Sequence, residues 1–272
     1  MARKRVAIVT GASRGIGRGV AIGLGEAGWT VYLTGRTVRV GDSDRPGSIT
    51  KTAAEVTDAG GHGIPERCDH SIDAETAAVF RRVVDEQGQL DLLVNNATLY
   101  TTDVGPREDA PFWELPVEIW DLMHVVGLRS HYVASIQAAR IMVPQGHGLI
   151  VNISSRGAVM YTGNVSYNVV KAAVDMLTLS TAEELRPHHV AVVSLWPRLT
   201  RTEGVLAHPE LFPDPSRGWS PEFNGRLVAA LAADDKVIEK SGRALDIAEV
   251  AAEYGIADSD GRQPAPLRPP SA

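Results

Sequence analysis

The chain has 272 residues, 44% of them hydrophobic, with a formal net charge of -6 and a single cysteine, Cys68. That is apolar material for one large domain with a sizeable core, and the acidic balance, without a basic block, argues against nucleic acid as a main partner or a membrane surface. One cysteine excludes an intrachain disulfide and a metal site built on cysteines; no apolar run approaches the roughly 20 residues that span a bilayer, and MARKRVAIVT lacks a signal-peptide core, so a cytoplasmic protein is expected.

Arg5 to Thr10 reads as a buried strand and Gly15 to Ala27 as an amphipathic helix. Between them lies TGASRGIG, where Gly11, Gly15 and Gly17 let the backbone turn sharply and approach a pyrophosphate, whose charge meets amides at the helix N-terminus. Val31 to Thr34 is the second strand. An acidic residue at its end would bond an adenosine ribose, but here Gly35 and Arg36 follow, and with Arg36 and Arg14 both able to bind a 2′-phosphate the pattern favours NADP(H). A turn-rich segment, Thr37 to Ser48, precedes a helix from Ile49 to Ala59. Gly63 to Cys68 is a third strand, and Asp69 after it reads either as an adenine contact or as a turn former.

Thr76 to Glu86 is the next helix and Leu90 to Val94 the fourth strand, leading into NNAT at Asn95 to Thr98, on the ligand side of an open α/β sheet. Pro116 to Met142 reads as one long helix broken only at Gly127 and stopped with the help of Pro144. Leu149 to Ile153, Ala191 to Trp196 and Arg243 to Leu245 are the remaining strands; Val165 to Leu185, Pro221 to Ala233 and Ile247 to Tyr254 are the remaining helices. The stretch from Arg198 to Ser220 is long and turn-rich, so a mobile lid or a disordered loop is expected. The alternation predicts a doubly wound parallel α/β sheet over residues 1–255, a single domain, followed by a poorly ordered proline-rich tail at 256–272.

The chemistry concentrates in NISSRGAVMYTGNVSYNVVK, Asn152 to Lys171. A spacing of four puts Tyr167 and Lys171 on one helical face. A nearby ammonium lowers a phenol pKa that starts near ~10, making Tyr167 a proton donor near neutral pH. Ser155, at the end of the preceding strand, can bond the same substrate oxygen. The alternatives are weaker: His124, His131 and His147 have no carboxylate or cysteine at ligand spacing, so no metal is expected, and ISSRG lacks the flanking glycines of a nucleophile elbow.

TGASRGIG, NNA, Ser155, Tyr167 with Lys171, and the strand-end proline of WP occur in the order found in short-chain dehydrogenases/reductases, and residues 4 to 250 resemble that family. The resemblance implies a Rossmann-like fold in which Ser155 orients a carbonyl, Tyr167 donates its proton, and Lys171 tunes the phenol and holds the nicotinamide ribose. It implies cofactor contacts or support from Gly11, Ser13, Arg14, Gly15, Ile16, Gly17, Arg36, Asp69, Asn95, Ala97, Tyr167, Lys171 and Pro197. Three positions depart from the family pattern: Gly127 stands where a catalytic asparagine is usual, Thr98 where NNAG ends in glycine, and Arg198 where glycine follows the proline. HVVGLRSHY and ARIMVPQGHGLIVNISS resemble one branch of the family, which also has glycine at the first of these.

The expected activity is NADP(H)-dependent reduction of a ketone or aldehyde. An impaired NADP(H)-binding interaction protein and an NAD-dependent alcohol dehydrogenase are the rival readings. The two long helices suggest a homodimer or homotetramer, as in the family.

Overall fold

The computed structural model describes residues 4–99 and 110–265. Among them seven parallel strands form one sheet, in the order β3-β2-β1-β4-β5-β6-β7. The strands are β1 (Val6–Val9), β2 (Thr30–Gly35), β3 (His62–Arg67), β4 (Leu92–Asn95), β5 (Gly148–Ile153), β6 (Val190–Trp196) and β7 (Ala244–Asp246). The helices are α1 (Gly15–Glu26), α2 (Ile49–Asp58), α3 (Asp73–Gln87), α4 (Val117–His124), α5 (Ser130–Gln145), α6 (Val165–Leu185), α7 (Glu203–Ala207), α8 (Pro221–Ala233) and α9 (Ile247–Tyr254).

Strand residues alternate between two apolar cores. Ala7, Val9, Val31, Leu33, Val94 and Val193 pack with Val20 and Leu24 of α1, Val56 of α2, Leu227 of α8 and Val250 of α9. Val6, Ile8, Tyr32, Leu93, Ile150 and Val192 pack with Phe80 of α3, Ala138 of α5 and Leu185 of α6 on the other face. With both faces covered the strands need no polar side, so β1 reads VAIV, buried throughout. The chain leaves β1 for β2 through α1 and comes back from β3 to β4, on the other side of β1, through α3, and the crevice for a ligand lies at that divide, beyond the carboxyl ends of the strands. No helix of the described residues is long and apolar enough to cross a membrane.

Three expectations need correction. The helix expected from 116 to 142 is α4 and α5 joined through a π-helical segment, Val125–Arg129, that contains the buried Gly127. Its stop is Gly146, whose φ of 69° leaves the helical region, while Pro144 fits inside the last turn of α5. The stretch from 198 to 220 is built: α7 and a 3₁₀ turn, Pro215–Arg217, stand on a base where Arg201 N–H donates to Trp219 O and Trp219 N–H to Leu199 O, each at 2.8 Å. Part of the expected tail is docked as well. Asp258 is buried and accepts from the backbone N–H and hydroxyl of Ser220, and the Arg262 guanidinium lies 5.1 Å from the Trp219 ring centre. The remainder of that tail, 266–272, lies outside the described residues.

Candidate active site

At the divide, Thr10 joins β1 to β4. Its N–H donates to Val94 O at 3.0 Å, and its hydroxyl accepts from the N–H groups of Asn96 (2.9 Å) and Ala97 (3.0 Å). Asn96 closes the joint, its amide nitrogen donating to Thr10 O (2.9 Å) and Gly11 O (3.0 Å). A side chain has no room here: a Cβ on Gly11 would lie 2.9 Å from Ala97 Cα, and one on Gly17 2.5 Å from Gly11 O. Gly11 also has a φ of 65°, which L side chains rarely adopt.

Arg14, at the N-cap of α1, gives the helix no side-chain acceptor, and its first turn holds no acid. Those amides therefore look outward for an acceptor, and Gly15 N–H donates to Oε2 of Glu203 at 2.8 Å. A bare glycine cradle and a carboxylate standing in at the helix N-terminus fit the pyrophosphate of a dinucleotide.

The remaining cofactor candidates fall into distinct positions. Arg14 donates to Pro46 O (2.9 Å) and Thr37 Oγ1 (3.1 Å), which seats the 37–48 segment on the turn. Burial pushes the Arg14 guanidinium pKa down, and Arg45 and Arg36 nearby add to that. Arg36 is exposed and lines a cavity of about 390 Å³ with Thr37, Ser43, Asp42 and Asp44. Ser13 is buried and Ile16 packs on the core. Asp69 forms a turn, its Oδ1 accepting from the N–H (3.0 Å) and hydroxyl (2.7 Å) of Ser71. Asn95 faces inward, fully buried, its amide donating to Asn152 Oδ1 (2.9 Å) and Ser135 Oγ (3.1 Å), so it supports the site from beneath. Ala97 accepts through its carbonyl from His131 Nε2 at 3.0 Å, and Pro197 follows β6, partly buried.

Ser155, Tyr167 and Lys171 do come together. Ser155 caps the turn after β5, its Oγ accepting from Gly157 N–H at 3.0 Å. Asn164 caps α6 by accepting from Tyr167 N–H at 2.8 Å, which starts the helix three residues before the phenol. A Cβ on Gly157 would lie 2.9 Å from Ser155 Oγ and 3.0 Å from Tyr167 Cε1, so both side chains converge over one bare backbone position. Lys171 is buried, its Nζ donating to Ile153 O at 2.9 Å and lying 5.5 Å from the centre of the Tyr167 ring.

The electrostatics differ from the sequence expectation. Burial raises the Tyr167 pKa, only partly offset by its hydrogen bond with Ser155. Burial brings Lys171 down to about 8, opposed by the charge of Asp175 one turn on. The ammonium lies over the ring and donates to a carbonyl, and desolvation is the larger influence on the phenol. Asp175 itself is raised by burial and accepts from Trp196 Nε1 at 2.9 Å.

Two of the departures touch. A Cβ on Gly127 would lie 3.1 Å from Thr98 Oγ1 and 3.1 Å from Val170 Cγ1. The larger side chain at 98 occupies space that the bare residue at 127 leaves. Arg198, the third, is bound to Asp246, with Nη2 2.9 Å and Nε 3.1 Å from Oδ1. Asp246 caps α9 by accepting from Ala248 N–H, so Arg198 braces that helix rather than offering a charge to a substrate. Among the described residues, no three His, Cys, Asp or Glu side chains gather as metal ligands.

Sequence reading passed over Asn96, Glu203, Asp175 and Asn152. The doubled asparagine signalled the first; the others depend on contacts across the fold.

Comparison with known proteins agrees with this geometry. The sequence model for short chain dehydrogenases matches residues 5–209. The chain is similar to mouse dehydrogenase/reductase SDR family member 1, 45% identical over 271 residues, covering 95% of this chain and 84% of the relative. It is 34% identical over 210 residues to pig carbonyl reductase [NADPH] 2, covering 75% of this chain and 77% of that one. A metagenomic short-chain oxidoreductase solved in complex with NADP superposes with a TM-score of 0.71 at 29% identity, covering 89% of this chain and 95% of that chain.

Proposed function

We propose that this chain, which belongs to the short chain dehydrogenase family, is an NADP(H)-dependent oxidoreductase that reduces a ketone or aldehyde to an alcohol. The observation that carries the reading is the convergence of Ser155 and Tyr167 over Gly157, with the buried Lys171 ammonium over the phenol ring. The nicotinamide, when bound, supplies the hydride. Ser155 Oγ and the Tyr167 hydroxyl donate to the substrate oxygen, and the phenol proton passes to that oxygen as its negative charge grows. Both donors therefore act most strongly at the transition state. The Lys171 ammonium then faces a phenolate, which it favours over the phenol.

The fit to NADP(H) rests on Arg36 directly after β2 and on Arg14 of the glycine turn, with glycine rather than a carboxylate at the strand end, while Asp42 and Asp44 share the cavity that Arg36 lines. The NADP complex of the similar oxidoreductase and the NADPH in the name of the similar pig reductase are consistent with it. The same family membership supports a homodimer or homotetramer.

The test is turnover of a carbonyl panel by the wild type and Tyr167→Phe, with NADPH and NADH binding followed by fluorescence. Tyr167→Phe should lose on the order of 10²-fold or more in kcat while still binding NADPH. Full activity in that variant would remove Tyr167 from the mechanism. Tighter binding of NADH than NADPH would overturn the arginine reading, and NADPH binding without any turnover would make the chain a binding protein.

A further inference from the structure

We propose that Glu203 is a determinant of cofactor affinity: its carboxylate closes the glycine turn by holding Gly15 N–H, and the cofactor pyrophosphate must displace it. The inference rests on the dinucleotide reading of the turn.

The contact joins residues 188 positions apart, at 2.8 Å. It exists because α1 is left without an acceptor of its own. The Arg14 side chain is committed to Pro46 O and Thr37 Oγ1, and the first turn of α1 carries no acid. Glu203 is also the first residue of α7, whose cap Thr202 accepts from Val205 N–H. The carboxylate that heads the lid helix thus serves the start of α1, which favours negative charge. The guanidinium groups of Arg14 and Arg18 both feel its attraction. This is the environment that a pyrophosphate oxygen would enter, and two anions cannot share the one N–H group.

The lid is built to release at its tip. Its base is fixed by the Thr200 to Trp219 bridge and by Arg201, whose Nη1 donates to Gly218 O at 2.8 Å. Helix α7 has no buried residue, and Leu206 is 55% exposed. Little apolar contact is lost when such a segment moves, so the Gly15 bond is a large share of what holds it down. A closed population that excludes the cofactor raises the apparent Kd by the inverse of the open fraction.

The experiment compares the full-length wild type, Glu203→Gln and Glu203→Ala, reading NADPH binding by fluorescence and amide hydrogen exchange of the Gly15–Gly17 turn without cofactor. Glu203→Ala should bind NADPH tighter, on the order of 3- to 10-fold, as expected when an open fraction of roughly a tenth to a third becomes the whole, and Glu203→Gln, which keeps an acceptor for Gly15 N–H, should gain less. Glu203→Ala should also exchange the turn amides faster, having lost the acceptor. Unchanged or weaker NADPH binding in Glu203→Ala overturns the proposal. Tighter binding by Glu203→Ala with unchanged exchange does so too, as does an equal gain in Glu203→Gln, since simple charge repulsion would then suffice. If neither wild type nor variants bind NADPH, the cofactor reading fails, while faster exchange in Glu203→Ala still reports the contact itself.

Discussion

Lys171 keeps its charge in surroundings that oppose it. It is 3% exposed, and burial brings its pKa down to about 8. The working form is the ammonium, present below that pH and lost above it. Activity should therefore fall as pH rises through about 8, well before the ~10.4 of an exposed lysine. A kcat/KM profile from pH 6 to 10 checks this, and Asp175→Asn should move the alkaline limb lower, because Asp175 raises the Lys171 pKa. A limb that stays near 10 would mean that the charge at Lys171 is not what the reaction uses. The four-residue spacing of Tyr167 and Lys171 was legible because a helix repeats every 3.6 residues. The balance between cation and burial was not, since desolvation depends on what packs above the pair. Asn95 and Asn96 make the same point. Neighbours at a strand end face opposite ways, and sequence alone did not say that Asn96 ties the glycine turn while Asn95 turns into the sheet. Gly127 and Thr98 stood as two separate oddities 29 positions apart until their contact showed one to be the complement of the other.

Three helices with a capping side chain at their start matched their sequence bounds, whereas α7, capped by Thr202, was not expected from the sequence. Helices α6, α8 and α9 begin after Asn164, Ser220 and Asp246, each of which accepts a first-turn N–H. The buried strands were plain as apolar runs. What sequence missed were α7 within the lid and the docking of the segment after α9, since both are held by polar contacts to distant partners rather than by apolar periodicity. Asp258 is the chief of these. It takes both donors of Ser220 while Ser220 caps α8, so one carboxylate joins the lid, the start of α8 and the chain end. Asp258→Ala strands a buried N–H and hydroxyl, at a cost of about 1–3 kcal/mol. The urea midpoint should fall accordingly, and a chain ending at Gly255 should fall at least as far. Burial pushes the Asp258 pKa up, but the hydrogen bonds from Ser220 and Ser259 together hold it below its usual value. The Asp258 contribution is thus complete above pH ~4 and lost as pH falls through the folded pKa. A midpoint unmoved by Asp258→Ala would return residues 256–265 to the status of an idle tail.

Two faces of the molecule are closed by its own helices, yet the outer surface of α4 to α6 is unusually apolar. Val169, Met176 and Leu179 stand on one side of α6 at 40%, 59% and 45% exposure, opposite the buried Val170, Lys171 and Val174. Helix α4 packs beside α6 through Met123 and adds Val117, Trp120 and Leu122, while α5 adds Tyr132 at 52%. Single exposed apolar residues need no explanation, but Val169, Met176 and Leu179 make a strip along one side of α6, as a face covered by another subunit would have. A two-fold axis across this surface would pair like with like and cover it in one step. It would also brace α6 from outside, on the same turns that hold Tyr167 and Lys171 from within. Light scattering should accordingly give a mass of two or four times 29.1 kDa. Met176→Glu puts a charge at the centre of the covered strip, and it should shift the population toward the monomer and lower turnover with it. A wild type found only at 29.1 kDa would leave that apolar face to another partner and the two helices to hold the site unaided.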